Sequence, residues 1–262
     1  MEIIFTKYQG AGNDFVLLDN LSGQYDDLTD EQVTLLCDRK FGVGADGLIK
    51  INASEKYDYE VDYFNADASK SFCGNGGRCA AAFAHKIGAP NEQGVFLGFD
   101  GPHSYAFEGD LVRISMRDVN ELEWIDLDAN VYTGSPHYVK YVDEIANFPV
   151  VEEGKSIRYN ERFKSEGINV NFVEEVNPTE LVVRTYERGV EDETLACGTG
   201  VTACAIVQAV KQNLSGAQRI QIHAQGGDLF VEFNRVGENQ FENVFLIGPA
   251  ELVFTGQFHF TI

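Results

Sequence analysis

The 262-residue chain has no basic run to set against its acidity. Lys and Arg number 20 against 41 Asp and Glu, for a formal net charge of -21. Such a surface repels phosphate backbones, so nucleic-acid binding is not expected. Acidity of this kind serves solubility. No apolar run approaches the roughly 18 residues of a membrane span, so no membrane association is expected either. The opening MEIIFTKYQG lacks a basic start, a long apolar stretch and a cleavage site, so no secretory leader is expected. Cysteines number five, an odd count without the regular spacing of a disulfide framework. That points to a reducing cytoplasm. Linkers rich in Pro, Gly or Ser are missing, and so are low-complexity segments. What remains, 44% hydrophobic and 23% charged, is an ordinary globular composition.

What the chain does have is a duplicated phrase: CGNGGRCA at 73–80 and CGTGVTACA at 197–205. Each follows a polar loop and leads into an Ala-rich helical run. The elements around them repeat as well. In the first half, Thr29 and Gln32 form a capping box opening a helix that ends near Lys40. YEVDYFN at 59–65 alternates as a half-buried strand does. A helix from about Asn75 to Ile87 stops at Gly88 and Ala89-Pro90. Strands follow at 95–99, 105–108 and 111–116. In the second half, strands at 169–173 and 181–186 precede Cys197, and a helix spans about 199–212. Further strands are expected at 220–224, 229–233, 243–247 and 252–260. The boundary between the halves falls near Asp118.

A cysteine at a helix start faces unpaired backbone N–H groups and the positive end of the helix dipole. Both favour thiolate over thiol. The glycines that follow let a carboxylate approach those N–H groups. Cys37, Cys79 and Cys204 lie within apolar helical runs and read as core residues. Metal binding fails on geometry: Cys197 and Cys204 are seven residues apart on one helix, roughly 10.5 Å along its axis, too far to share a tetrahedral ion. Cys73 and Cys79 fare no better. His137, in TGSPHYV, reads equally as a structural or a functional histidine. Arg188, in YERG at a strand end, suits either a bidentate carboxylate clamp or a surface ion pair.

Taken together, these phrases resemble the diaminopimelate epimerase family along nearly the whole chain. The matching stretches are KYQGAGNDFV at 7–16, FGVGADGL at 41–48, YFNADAS at 63–69, CGNGGRC at 73–79, GSPH at 134–137, GINVNF at 167–172, YERG at 186–189 and ACGTG at 196–200. The resemblance implies an α/β (α+β) fold of two pseudo-symmetric lobes, each a bent, mostly antiparallel sheet around a central helix. It assigns 1–117, with 252–262 returning to it, to the lobe carrying Cys73, and 118–251 to the lobe carrying Cys197. It implies cofactor-independent interconversion of LL- and meso-diaminopimelate, for lysine and peptidoglycan precursors, by a homodimer. Phe254 falls where the family often carries an interface tyrosine.

Residue by residue, Cys73 and Cys197 match the catalytic cysteines. His137 and Glu187 match residues that tune the thiols. Asn13, Asn65, Gly74, Asn75, Asn169, Glu187, Arg188, Gly198 and Thr199 match substrate contacts. Ser135 stands where many members have a substrate-binding asparagine, and Gly47 where many have a glutamine. The rival readings are a proline or hydroxyproline epimerase of the same fold, which would carry His where Asn75 stands, a thiol hydrolase using one cysteine with His137, and an amino-acid binding protein.

Overall fold

The computed structural model describes residues 1–89 and 91–260. By internal contacts the chain divides into two compact units, Met1–Ile114 with the stretch from Gly248 onward, and Ser115–Ile247. The first unit contains β1 (Glu2–Gly10), β2 (Asn13–Asn20), α1 (Asp30–Cys37), β3 (Gly47–Asn52), β4 (Tyr59–Asn65), α2 (Gly74–Lys86), β5 (Gln93–Gly98), β6 (Gly101–Glu108) and β7 (Leu111–Ser115). The second contains β8 (Leu122–Ile125), β9 (Asp128–Tyr132), β10 (Pro136–Tyr141), α3 (Val150–Arg158), β11 (Asn169–Asn177), β12 (Glu180–Glu187), β13 (Asp192–Thr194), α4 (Gly198–Lys211), β14 (Gly216–Ala224), β15 (Gly227–Gly237) and β16 (Gln240–Pro249), whose Gly248 and Pro249 already belong to the first unit. The chain then runs into β17 (Glu251–His259), which pairs antiparallel with β1 and so belongs to the first unit.

Strand pairing repeats between the units. Among the described residues the first sheet runs β17-β1-β2-β3-β4-β5-β6-β7, and its successive pairings are antiparallel, antiparallel, parallel, antiparallel, parallel, antiparallel, antiparallel. The second runs β8-β9-β10-β11-β12-β14-β15-β16 with the same sequence of senses. A parallel pair cannot be joined by a tight turn and needs a crossover. Among the described residues the four α-helices occupy those crossovers: α1 and α2 between β2 and β3 and between β4 and β5, α3 and α4 at the corresponding places. The duplicated phrase is therefore one sign of a duplicated mixed sheet, mostly antiparallel, with α2 or α4 packed on its strands.

Composition explains why α2 and α4 take the inner position. Cys79, Ala80, Ala81 and Ala84 of α2 are buried, as are Ala203, Cys204, Ala205 and Ala209 of α4. Short side chains let backbone and sheet approach closely, and long ones would hold them apart. The outer helices cover separate clusters. Val33 and Leu36 of α1 pack with Ile3, Val16 and Leu48. Val150 of α3 packs with Val170, Phe172 and Tyr186.

The capping box forms as expected: Gln32 N–H donates to Thr29 Oγ1 (3.4 Å) and Thr29 N–H to Gln32 Oε1 (3.0 Å). The helix ends at Cys37, however, earlier than the Lys40 expected. Asp38 ends it, because its carboxylate accepts from the N–H groups of Lys40 and Phe41, both at 2.7 Å, an alternative to continued helix. Helix α2 stops at Lys86, and Gly88 follows with φ +99°; Pro90 lies outside the described residues, as do 261 and 262. No helix among the described residues is long and apolar enough to cross a membrane.

Candidate active site

The two cysteines cap their helices with the same backbone conformation, although the Cys73 thiol takes a side-chain cap hydrogen bond and the Cys197 thiol takes none. Cys73 is the N-cap of α2 with φ, ψ of -125°, 119°, and Cys197 that of α4 with -111°, 113°. Each carbonyl accepts the first helical hydrogen bond, from Gly77 N–H (2.8 Å) and Val201 N–H (2.9 Å). Extended backbone at the cap turns each side chain to the helix start, where amide N–H groups are exposed.

Around Cys73, Sγ accepts from Gly76 N–H at 3.4 Å and lies 3.5 Å from Asn13 Oδ1. Asn13 is delivered by the β1–β2 turn, where Ala11 and Gly12 both take the left-handed conformation, φ +54° and +83°. That turn matches the twist of a hairpin. Gly10 brings the hairpin onto α2: a Cβ there would stand 3.1 Å from Cys79 Sγ and 3.3 Å from Asn75 O. Asn13 Nδ2 donates to Asp46 Oδ2 (2.6 Å), which leaves Oδ1 toward Cys73 and Asn75 Nδ2 (3.4 Å). Behind Asp46 lies a charge network in which Arg39 bridges Asp46 and Asp14, both at 2.7 Å, and buried Lys7 pairs with Asp14 at 2.7 Å. Burial pushes the Asp14 carboxyl up, but hydrogen bonds from Arg39 and Lys7 outweigh it and hold it at about 2. Gly74 and Asn75 are buried in the first turn of α2. Asn65 instead braces the next loop, donating to Ser69 Oγ (2.9 Å) and Ser71 Oγ (3.2 Å).

Around Cys197, Sγ lies 3.5 Å from Thr199 Oγ1. His137, with no exposed surface, sets Nε2 2.8 Å from Thr199 Oγ1 and 2.9 Å from Ser135 Oγ. Asn169 donates to Ser135 Oγ and to Pro136 O, both at 3.0 Å, and accepts from Arg188 N–H at 2.9 Å. Gly198 is buried at the start of α4. The Glu187 carboxylate accepts from Thr194 Oγ1 at 2.8 Å. Arg188 is exposed, its Nη1 donating to Glu166 O (3.0 Å), and among the described residues it pairs with no carboxylate.

Burial, aided by the charge of Arg188, pulls His137 down to about 3. Above the ordinary value of 6.5 the ring is neutral folded or unfolded. Below it the unfolded chain takes up a proton that the native state refuses, so stability falls until the folded value is reached. Wild type is therefore expected to lose about 1.4 kcal/mol per pH unit relative to His137→Gln between pH 6 and 4. Urea titrations at stepped pH measure it; parallel curves for the two proteins would contradict it.

Sequence reasoning passed over three residues. Asp46 fixes Asn13, though it lies inside the matched stretch FGVGADGL. Asn171 contacts His137, and its signal was present, since residues two apart in a strand share a face and Asn169 was already singled out. Arg78 is fully buried on α2; its Nε donates to Pro249 O at 3.3 Å, while Nη1 and Nη2 find no partner among the described residues. Burial brings its guanidinium down to about 10.

Gly47 has a structural role. A Cβ there would stand 2.6 Å from Phe64 O and 2.9 Å from Tyr63 Oη across the β3–β4 ladder. Gly47→Ala is expected to cost about 1–3 kcal/mol, a melting temperature lower by roughly 3–10 °C. A melt unchanged by calorimetry would show that β4 yields freely.

The sequence profile of the family described as Diaminopimelate epimerase matches residues 5–101 and 129–253. The chain belongs to the diaminopimelate epimerase family. The diaminopimelate epimerase of Flavobacterium psychrophilum is 44% identical over 251 residues, covering 95% of this chain and 97% of the relative. That of Chlorobaculum tepidum is 41% identical, covering 94% and 98%. Among solved structures, a PhzF-family phenazine biosynthesis protein of Bacillus anthracis superposes with TM-score 0.76 at 13% identity, covering 99% of this chain and 100% of that one. A probable proline racemase from Agrobacterium radiobacter superposes with TM-score 0.70 at 14% identity, covering 99% and 93%. At such identities these likenesses speak for the fold alone. They place the chain in the diaminopimelate epimerase-like fold anticipated from the sequence.

Proposed function

We propose that the protein interconverts LL- and meso-diaminopimelate by a two-base exchange of the α-proton. The observation that carries this is the paired helix-capping cysteine, set in a duplicated sheet within a chain of the diaminopimelate epimerase family. In this reading the two units are the two lobes. Cys73 and Cys197 face one α-carbon from opposite sides. One, as thiolate, removes the proton; the other, as thiol, delivers a proton to the opposite face, and the reverse reaction exchanges the roles. The N–H groups at the starts of α2 and α4 receive the α-carboxylate, where charge develops in the transition state. Asn13, held by Asp46, and the loop bearing Asn65 would line the first unit's half of the site. Ser135, Asn169, Glu187 and Thr199 would line the second's. The proton transfer needs no metal or organic cofactor.

Exposed Arg188 suits a substrate carboxylate, since a guanidinium offers two parallel donors. Arg188→Lys is expected to lower kcat/KM by about tenfold or more while melting as wild type does, because an ammonium cannot reproduce that fork. Steady-state kinetics with LL-diaminopimelate measure it. Normal kinetics would reduce Arg188 to a surface cation.

We further read the protein as a cytoplasmic homodimer. Five cysteines with no disulfide framework suit a reducing compartment. Leu252, Val253 and Phe254 expose 41%, 53% and 46% of their surface along β17, and its partner β1 exposes Ile4 at 60%, opposite Gln257. Such a patch suits burial against a second copy. The test of the whole reading is chromatographic: purified protein under reductant should convert LL-diaminopimelate to a mixture with the meso form. Proline and hydroxyproline should pass unchanged. Racemisation of proline in preference to diaminopimelate would overturn the substrate assignment.

A further inference from the structure

The hydrogen bond at His137 Nδ1 has a direction fixed by its partners. Asn171 is fully buried on β11. Its Nδ2 lies 3.0 Å from Tyr138 O, and a carbonyl can only accept, so that end of the amide is the nitrogen. Thr185 Oγ1 donates to the other end, Oδ1, at 2.9 Å. The second hydrogen of Nδ2 is thereby aimed at His137 Nδ1, 3.1 Å away. Nδ1 must accept, so the neutral ring carries its proton on Nε2, facing Thr199 Oγ1 at 2.8 Å and Ser135 Oγ at 2.9 Å. A second arm reaches the same oxygen. Asn169 Oδ1 is occupied by Arg188 N–H, so Nδ2 donates to Ser135 Oγ, and that hydroxyl lies 3.2 Å from Thr199 Oγ1. With the Nε2 hydrogen given to Thr199 directly or relayed through the Ser135 hydroxyl, the Thr199 hydroxyl can direct its own hydrogen onward, and Cys197 Sγ stands 3.5 Å off.

We propose that Asn171 is a positioning residue: by holding His137 as the Nε2–H tautomer it polarises the chain His137–Thr199–Cys197 toward the sulfur, so that Cys197 is the cysteine kept as thiolate before substrate binds. A sulfur that receives a hydrogen bond is stabilised as the anion. Cys73 receives Gly76 N–H but also faces Asn13 Oδ1, an acceptor that suits S–H, because Asp46 holds the other end of that amide. The two thiols thus start in different states, as an exchange between one base and one acid requires. Other titratable groups near Cys197 and His137 are Arg188, which opposes a charged ring, Glu187, engaged with Thr194, and Cys204, whose burial keeps it protonated. Gly200 admits the arrangement, since a Cβ there would stand 2.4 Å from Asn171 Oδ1.

The inference rests on Cys197 being a catalytic thiol, but its test does not depend on turnover. In substrate-free, reduced protein labelled with ¹⁵N-histidine, His137 should show an unprotonated Nδ1 and a protonated Nε2 at pH 7. Alkylation by iodoacetamide, mapped by peptide and followed against pH, should give Cys197 a midpoint at least one unit below that of Cys73. In Asn171→Leu the Cys197 midpoint should rise by about one unit, a tenfold loss of thiolate at a given pH below it, while the Cys73 midpoint stays put. Thr199→Val, which removes only the last hydroxyl, should raise it likewise and decides the matter if Asn171→Leu does not fold. A proton on Nδ1, or Cys197 midpoints unmoved in the variants, would overturn the proposal. Full epimerase activity in Cys197→Ala, with the tautomer and the midpoints as expected, would instead overturn the functional reading beneath it.

Discussion

Cys73→Ala and Cys197→Ala should each lower epimerisation by roughly a thousandfold or more, because a positioned acid or base contributes about 10²–10⁴ to such a step and here each direction needs both. Neither change should unfold the protein. Cys73 is only half-buried, and the main-chain bond that starts each helix, at 2.8 Å and 2.9 Å, comes from the cap's carbonyl and survives the loss of the thiol. Melting within about 1 kcal/mol of wild type is expected. The serine variants should also be badly impaired, since a hydroxyl is a far weaker acid than a thiol. The assay is conversion of LL-diaminopimelate with the fold checked by circular dichroism. Near-normal epimerisation by either alanine variant would remove the symmetric pair, and would favour a single-cysteine hydrolase of the kind the sequence also admitted.

Gly200→Ala should damage both stability and turnover although it removes no functional group. The added methyl would lie 2.4 Å from Asn171 Oδ1 and 3.2 Å from Cys197 Cβ. Neither neighbour is a flexible side-chain end. Asn171 is held on three sides, by Tyr138 O, Thr185 Oγ1 and His137 Nδ1, and Cys197 is the helix cap itself. Overpacking of this kind costs about 1–3 kcal/mol, which lowers the melting temperature by roughly 3–10 °C. Because relief must come from moving Asn171 or the first turn of α4, kcat should fall by about tenfold or more at temperatures where the variant is fully folded. A variant that melts low but turns over normally would mean that the strain is absorbed elsewhere.

Both readings start from a repeat that was legible in the sequence because it is local. The phrase after each cysteine sets a cap, a glycine-softened first turn and a small-residue helix, and all three are properties of consecutive residues. The capping box at Thr29 and the alternation of YEVDYFN were legible for the same reason. Less was visible of what depends on distant pairing. Strands β2 and β3 lie at the heart of the first sheet, yet their burial runs nearly unbroken (Phe15 to Leu18, Gly47 to Ile51), so no alternation marks them. The match in strand senses between the two sheets is a fact of topology that no single stretch records. At the site, residue types were readable and hydrogen-bond directions were not. His137 was ambiguous as a lone histidine. It gains a tautomer only when β10 and β11 pair in parallel and bring Asn171 beside Val139, within reach of its ring. Asn169 was readable as a site residue, but its bonds to Ser135, Pro136 and Arg188 were not.

The exchange of one proton for another across a single carbon is the centre of this account, and heavy water tests it directly. LL-diaminopimelate is incubated with reduced enzyme in deuterated buffer, and substrate and product are separated after a small fraction of one equilibration. The meso product should carry deuterium at the inverted α-carbon from the first turnovers, because the donating thiol has exchanged with solvent, while the recovered LL substrate keeps its proton. Product formed without deuterium, or substrate and product labelled alike from the start, would contradict two bases acting from opposite faces.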